Sequence, residues 1–139
     1  MLAIRLDSPV PLGEQILLGL RSLIARGELR PGDELPPVRQ LASDLGLNLN
    51  TVARAYKELE REGLAAGVRG RGTRVTASSA SSAASPEAVR QGVRAQFERG
   101  LADARLGGLS RDQVEHLFQE LVGAFWPDDR ESPAVVGKE

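Results

Sequence analysis

The stretch from Leu35 to Val75, LPPVRQLASDLGLNLNTVARAYKELEREGLAAGVRGRGTRV, spells a helix, a tight turn, a second helix and a small basic hairpin. Apolar Val38, Leu41, Ala42 and Leu45 recur at helical spacing. Gly46 supplies a bend where a left-handed residue costs little, and Asn48 is placed to cap the next helix through its side-chain oxygen. In that next helix Val52, Ala55, Tyr56 and Leu59 fall on one face, while Asn50, Ala53, Arg54, Lys57 and Arg61 fall on the other. The first face packs and the second is left for a partner. Leu64 to Val68 and Thr73 to Val75 are short strand candidates joined by Arg69-Gly70-Arg71-Gly72, whose glycines permit a tight turn. Elements in this order describe a winged helix-turn-helix, an architecture whose second helix enters a DNA groove.

Around this stretch the pattern is helical. Leu12, Ile16, Leu20, Leu23 and Ile24 predict an amphipathic helix from Pro11 to about Arg26, stopping before Gly27. Arg30-Pro31-Gly32-Asp33 reads as a turn, and Pro36-Pro37 suits entry to the next helix, where proline is tolerated. After Thr76 the run ASSASSAAS has neither large apolar residues nor charge and reads as a linker. Ser85 and Pro86 then start a helix carrying Val89, Val93, Phe97 and Leu101, which Gly107-Gly108 ends. Ser110 and Gln113 form a capping-box signature ahead of a last helix striped with Val114, Leu117, Phe118, Leu121, Val122 and Phe125. The expected fold is mainly α with a small β-wing: a winged helix-turn-helix over 1–76, a linker over 77–85, a helical hairpin over 86–126 and a disordered tail over 127–139.

Charge must be divided by segment before it says anything about partners. The formal net charge is −1, yet residues 1–76 carry 11 basic against 9 acidic side chains and the remainder 7 against 10. Arg69, Arg71 and Arg74 lie close together with no acid among them. Cysteine is absent, so neither a disulfide framework nor a thiolate metal site is expected, and the cytoplasm is the default compartment. The N-terminus lacks a signal-peptide pattern, and no run approaches the roughly 18 apolar residues of a membrane span. His116 sits near Asp112, Glu115 and Glu120 without a recognised ligand spacing, so no metal site is expected. No nucleophile, base and orienting group are grouped together, and neither an enzyme nor a cofactor is expected.

Residues Pro11 to Val75 resemble the GntR family of bacterial transcription regulators, which carries a GELRPGDELPPVRQLA-like stretch, a DLGLNLNTVARAYKELEREGL-like stretch and an RGRGT wing in this order. Asn50 to Tyr56, with the short two-helix C-terminal region, looks most like the YtrA-type branch, which implies a homodimeric repressor of the kind often controlling transporter operons. The MocR-type branch is similar in its N-terminal domain but adds an aminotransferase-like domain, for which this chain has no room. The resemblance implies DNA contacts at Arg39, at Asn48, Asn50, Thr51, Arg54 and Lys57, and at wing residues Arg69, Gly70, Arg71, Gly72 and Thr73. Arg54 suits a bidentate contact with guanine and Asn50 one with adenine. Other branches place arginine where this chain has Leu49 and Ala53, so that part of the base-reading pattern does not transfer. Ala53 suits contact with a thymine methyl. Tyr56 is assigned to the core, and Arg5, Arg21 and Arg26 are read as solvated. Lys57 and Arg61 have a second reading as surface partners of Glu58, Glu60 and Glu62.

The C-terminal hairpin is close to the size at which a segment cannot hold its own core. A two-fold bundle with a second copy would cover Val93, Phe97, Leu101, Val114, Leu117, Phe118, Leu121, Val122 and Phe125. The competing arrangement folds the hairpin back on its own winged domain. The expected function is sequence-specific binding of a palindromic double-stranded DNA operator by a homodimeric repressor, with no membrane partner and an effector left open. The alternatives are a protein-interaction module using the winged domain as a scaffold, and a regulator gated by a ligand at the dimer interface.

Overall fold

Val52 and Leu59 are fully buried, and the helix carrying them organises the first half of the molecule. The computed structural model describes residues 2–76 and 84–127. Its elements are α1 (Leu12–Ala25), α2 (Val38–Leu45), α3 (Leu49–Arg61), β1 (Ala65–Val68), β2 (Gly72–Val75), α4 (Pro86–Leu106) and α5 (Arg111–Phe125). The architecture is the predicted one, mainly helical with a two-stranded antiparallel wing. The chain divides into two units, Met1–Ser81 and Ser82–Glu139.

In the first unit, α3 packs against α1, α2 and β1. The predicted inward faces are the buried ones: Ile16, Leu20, Leu23 and Ile24 of α1, Leu41 and Ala42 of α2, and Val52, Ala55, Tyr56 and Leu59 of α3. The bend between α2 and α3 is made as the sequence demands. Gly46 takes φ 68°, a conformation that would strain a residue with a Cβ, and Leu47 N–H returns to the Ala42 carbonyl at 2.9 Å. Asn48 Oδ1 then accepts the Asn50 N–H at 2.7 Å and starts α3.

The wing is larger than its two strands. Asp33 to Leu35, where the sequence places Asp33 in a turn and predicts no strand, lies alongside β2: Gly32 N–H donates to the Val75 carbonyl, Leu35 N–H to Thr73 and Val75 N–H to Asp33, all within 2.8–2.9 Å. Leu35, 1% exposed, is thereby pinned in the core beside Val75. The N-terminal segment is also tied down, because Gln15 accepts from the Arg5 N–H and donates to the Arg5 and Val10 carbonyls at 2.8–2.9 Å. Leu2 and Ile4 thus reach the edge of the core.

The second unit consists of two capped helices. Ser85 Oγ accepts the Ala88 N–H, and Ser110 and Gln113 complete the reciprocal capping box at 3.1 and 2.8 Å. Phe97 of α4 and Phe118 of α5 meet edge to face with centroids 5.6 Å apart. No residue of either helix is buried. Of the expected linker, residues 77–83 lie outside the described residues, as does the expected tail beyond Pro127. No helix among the described residues is long and apolar enough to cross a membrane.

Candidate nucleic-acid interface

With one face of α3 packed into the core, Asn50, Arg54 and Lys57 are left exposed on the other, flanked by Leu49 and half-buried Ala53. Two contacts set neighbouring elements around this face. The Tyr56 hydroxyl donates to the Pro36 carbonyl, which fixes the entrance of α2, and Arg39 in the first turn of α2, against α3. Glu60 lies 3.9 Å from the position a Cβ would take on Gly67, so the same flank of α3 runs up to the wing. Burial pushes the Tyr56 phenol up to about 12, in keeping with a neutral, inward-facing hydroxyl.

The wing turn is built for exposure of its arginines. Arg71 N–H closes on the Val68 carbonyl at 2.8 Å, and Gly70 at φ 76° takes the left-handed position that such a turn reserves for glycine. Arg69 and Arg71 flank this glycine and are both exposed.

Charge pairing sorts the cations of this unit into two groups. Arg5 pairs with Asp7, Arg21 with Glu62, Arg26 with Glu28, Arg61 with Glu58 and Arg74 with Glu34. Arg30 donates to the Gly27 carbonyl. Arg39, Arg54, Lys57, Arg69 and Arg71 make no ion pair or side-chain hydrogen bond among the described residues. These five are the basic residues that the sequence singles out for DNA.

The remaining candidates are placed differently. Asn48 uses its side-chain oxygen as the cap of α3. The Thr51 methyl points toward α1, 3.8 Å from the Cβ position of Gly13, rather than along the outward face. Thr73 is half-buried, and its carbonyl accepts from Leu35. Arg74, grouped by sequence with the basic wing, turns inward: Nη1 donates to the Gly32 carbonyl at 2.9 Å and Nη2 lies 3.6 Å from Glu34. Arg61 takes its alternative reading as a surface partner, whereas Lys57 does not. Among the described residues no three His, Cys, Asp or Glu side chains converge as a metal site would require.

A family model for bacterial regulatory proteins of the gntR family matches residues 12–75, which run from α1 to the end of the wing. The chain is also 35% identical over 121 residues to the HTH-type transcriptional repressor YtrA of Bacillus subtilis, covering 87% of this chain and 92% of that one. The chain belongs to the GntR family. Members of this family are DNA-binding transcription regulators and not enzymes. Among solved structures, YtrA of Sulfolobus acidocaldarius, a GntR-family transcription factor, is 39% identical with a TM-score of 0.56, covering 73% of this chain and 97% of that one. A structure described as a transcriptional antiterminator from Listeria monocytogenes EGD-e is 29% identical with a TM-score of 0.71, covering 88% and 90%. For this GntR member, likeness to YtrA proteins extends beyond the winged unit into α4 and α5.

Proposed function

We propose that this chain is a cytoplasmic homodimeric repressor that occupies a palindromic DNA operator. The observation that carries the DNA-facing half of this reading is the set of five unpaired cations on α2, α3 and the wing turn. A single exposed cation is commonly just solvated, so the weight lies in five of them gathering on the face and turn that a winged helix-turn-helix turns to DNA. Phosphate is the partner that such a set awaits. In this reading Arg54 and Asn50 read base edges, Arg39 and Lys57 hold phosphate, and Arg69 and Arg71 skirt the minor groove.

The dimer rests on the second unit. Val89, Val93, Phe97 and Leu101 on α4, and Leu117, Phe118, Leu121, Val122 and Trp126 on α5, are each between 37% and 56% exposed. Half-buried Val114 and Phe125 continue the α5 stripe. A second copy of the hairpin, presenting the same stripes about a two-fold axis, would bury them in a small helical bundle. Two-fold symmetry then sets two α3 helices into major grooves about one helical turn apart, hence a palindrome. The repressive sign follows the likeness to Bacillus subtilis YtrA along nearly its whole length.

The test is selection of bound duplexes from a random library with the purified protein, followed by titration of the winner at two salt concentrations. An enriched inverted repeat whose affinity falls steeply with salt is expected. Enrichment of a single asymmetric half-site would remove the dimeric part, and no enrichment over random DNA would remove operator recognition.

A further inference from the structure

Leu49 is the first residue of α3, and its side chain is 42% exposed on the helix that otherwise shows Asn50, Arg54 and Lys57 outward. Ala53, one turn further along, shares its flank of the helix. The apolar strip they form runs along the edge of the buried face, since Leu49 precedes buried Tyr56 by two turns, yet Leu49 is not among the residues packed in the core cluster. On one side the strip adjoins exposed Lys57, Asn50 and Arg54, on the other it meets the buried face at Tyr56, and Glu60 continues it toward the wing. An exposed apolar edge beside cations that have no partner among the described residues faces what those cations bind.

We infer that Leu49, backed by Ala53, reads the 5-methyl group of a thymine in each operator half-site. This inference rests on the proposed DNA-binding role of α3 and specifies one part of it. On the major-groove base edges the thymine methyl is the one bulky apolar group, where cytosine has only a C5–H and the purines present N7 with O6 or N6. An isobutyl side chain set against an amino or carbonyl edge strips water from it and offers no bond in return, so Leu49 discriminates against cytosine, guanine and adenine at its position. Against a methyl it removes apolar surface from water on both partners. The first turn of a recognition helix is the part that reaches base edges, and Leu49 stands in that turn.

The prediction is read first on the DNA with the unaltered protein, and then with a variant that must bind the same duplex. In the duplex selected from the library, each thymine of a half-site is replaced in turn by deoxyuridine, which differs only in lacking the methyl. At one position per half-site the affinity of the unaltered protein is expected to fall about fourfold, the worth of one buried methyl. With Leu49→Ala the same replacement is expected to change affinity by less than about 1.5-fold, because the partner of the methyl has been removed. A selected duplex in which no thymine position responds to deoxyuridine, or in which Leu49→Ala responds as the unaltered protein does, overturns the inference while leaving operator recognition in place. Failure to select any duplex overturns both.

Discussion

Replacing Tyr56 by phenylalanine isolates the contact that holds the recognition helix to its neighbour. Tyr56 is 3% exposed, and its hydroxyl donates to the Pro36 carbonyl two residues before α2 begins. A phenylalanine ring at this position would fill the same space, so packing is kept and only the hydroxyl is lost. A net hydrogen bond contributes about 1 kcal/mol, and stripping the partner from a half-buried carbonyl adds a similar amount, giving roughly 1–2 kcal/mol. For a unit of this size each kcal/mol lowers Tm by about 4–8 °C, so Tyr56→Phe should melt about 4–16 °C lower by circular dichroism. The variant should also differ in alkali. Burial raises the folded phenol to about 12 from its ordinary 10.0, so between these pH values the unfolded chain loses its proton while the folded one keeps it. The contribution of Tyr56 is therefore fully present below pH 10.0 and is lost as pH rises toward 12. Phenylalanine does not titrate, so the gap in Tm between the two proteins should narrow across that window. A Tm within about 2 °C of the parent, with parallel alkaline profiles, would refute the assignment of this hydroxyl as the clasp.

Three further outcomes follow from the same geometry. Arg54→Ala should weaken operator binding by about 1–3 kcal/mol and relax preference at one base pair of each half-site; an equal loss on random DNA would reassign Arg54 to phosphate. Arg71→Ala should weaken binding to all sequences alike and lower the salt slope by about one per protomer with Tm unchanged, whereas Arg74→Ala should lower Tm, because its guanidinium holds the Gly32 carbonyl. A Tm shift in the first or none in the second would break the division between unpaired and paired wing arginines. Leu121→Asp, placing a charge in the α5 stripe, should give a monomer by sedimentation that retains the melting transition of the winged unit; an unchanged dimer would move the interface elsewhere.

What was legible in the sequence was local. The buried face of α3, the bend at Gly46, the Asn48 cap and the capping box at Ser110 are each set by residues within one or two turns of each other, so periodicity and cap chemistry suffice. The strand-like run from Asp33 to Leu35 was not legible, because its pairing partners lie some forty residues further along at Thr73 to Val75, and Pro31-Gly32 beside it is a stronger local signal. The available hint was an isolated apolar Leu35 between the turn and Pro36-Pro37, a residue that proves buried. The inward turn of Arg74 is the same omission seen from the other side, since its acidic partner Glu34 arrives with that run. A count of wing arginines therefore overstates the charge presented outward by one, and Thr51, on the right helix, points toward α1.

This pairing also reconciles a near-neutral chain with a nucleic-acid partner. The net charge of −1 is a sum, and a sum does not register which charges are already neutralised by a neighbour. In the winged unit the acids Asp7, Glu28, Glu34, Glu58 and Glu62 are each matched to one arginine, Glu58 on α3 itself and Glu34 beside the wing at Gly72. At the range of a Debye length, about 8–10 Å, such pairs nearly cancel, whereas Arg39, Arg54, Lys57, Arg69 and Arg71 do not. The field that a phosphate backbone meets is consequently set by where the carboxylates sit, and moving one of them beside Arg54 would weaken binding as effectively as removing the arginine.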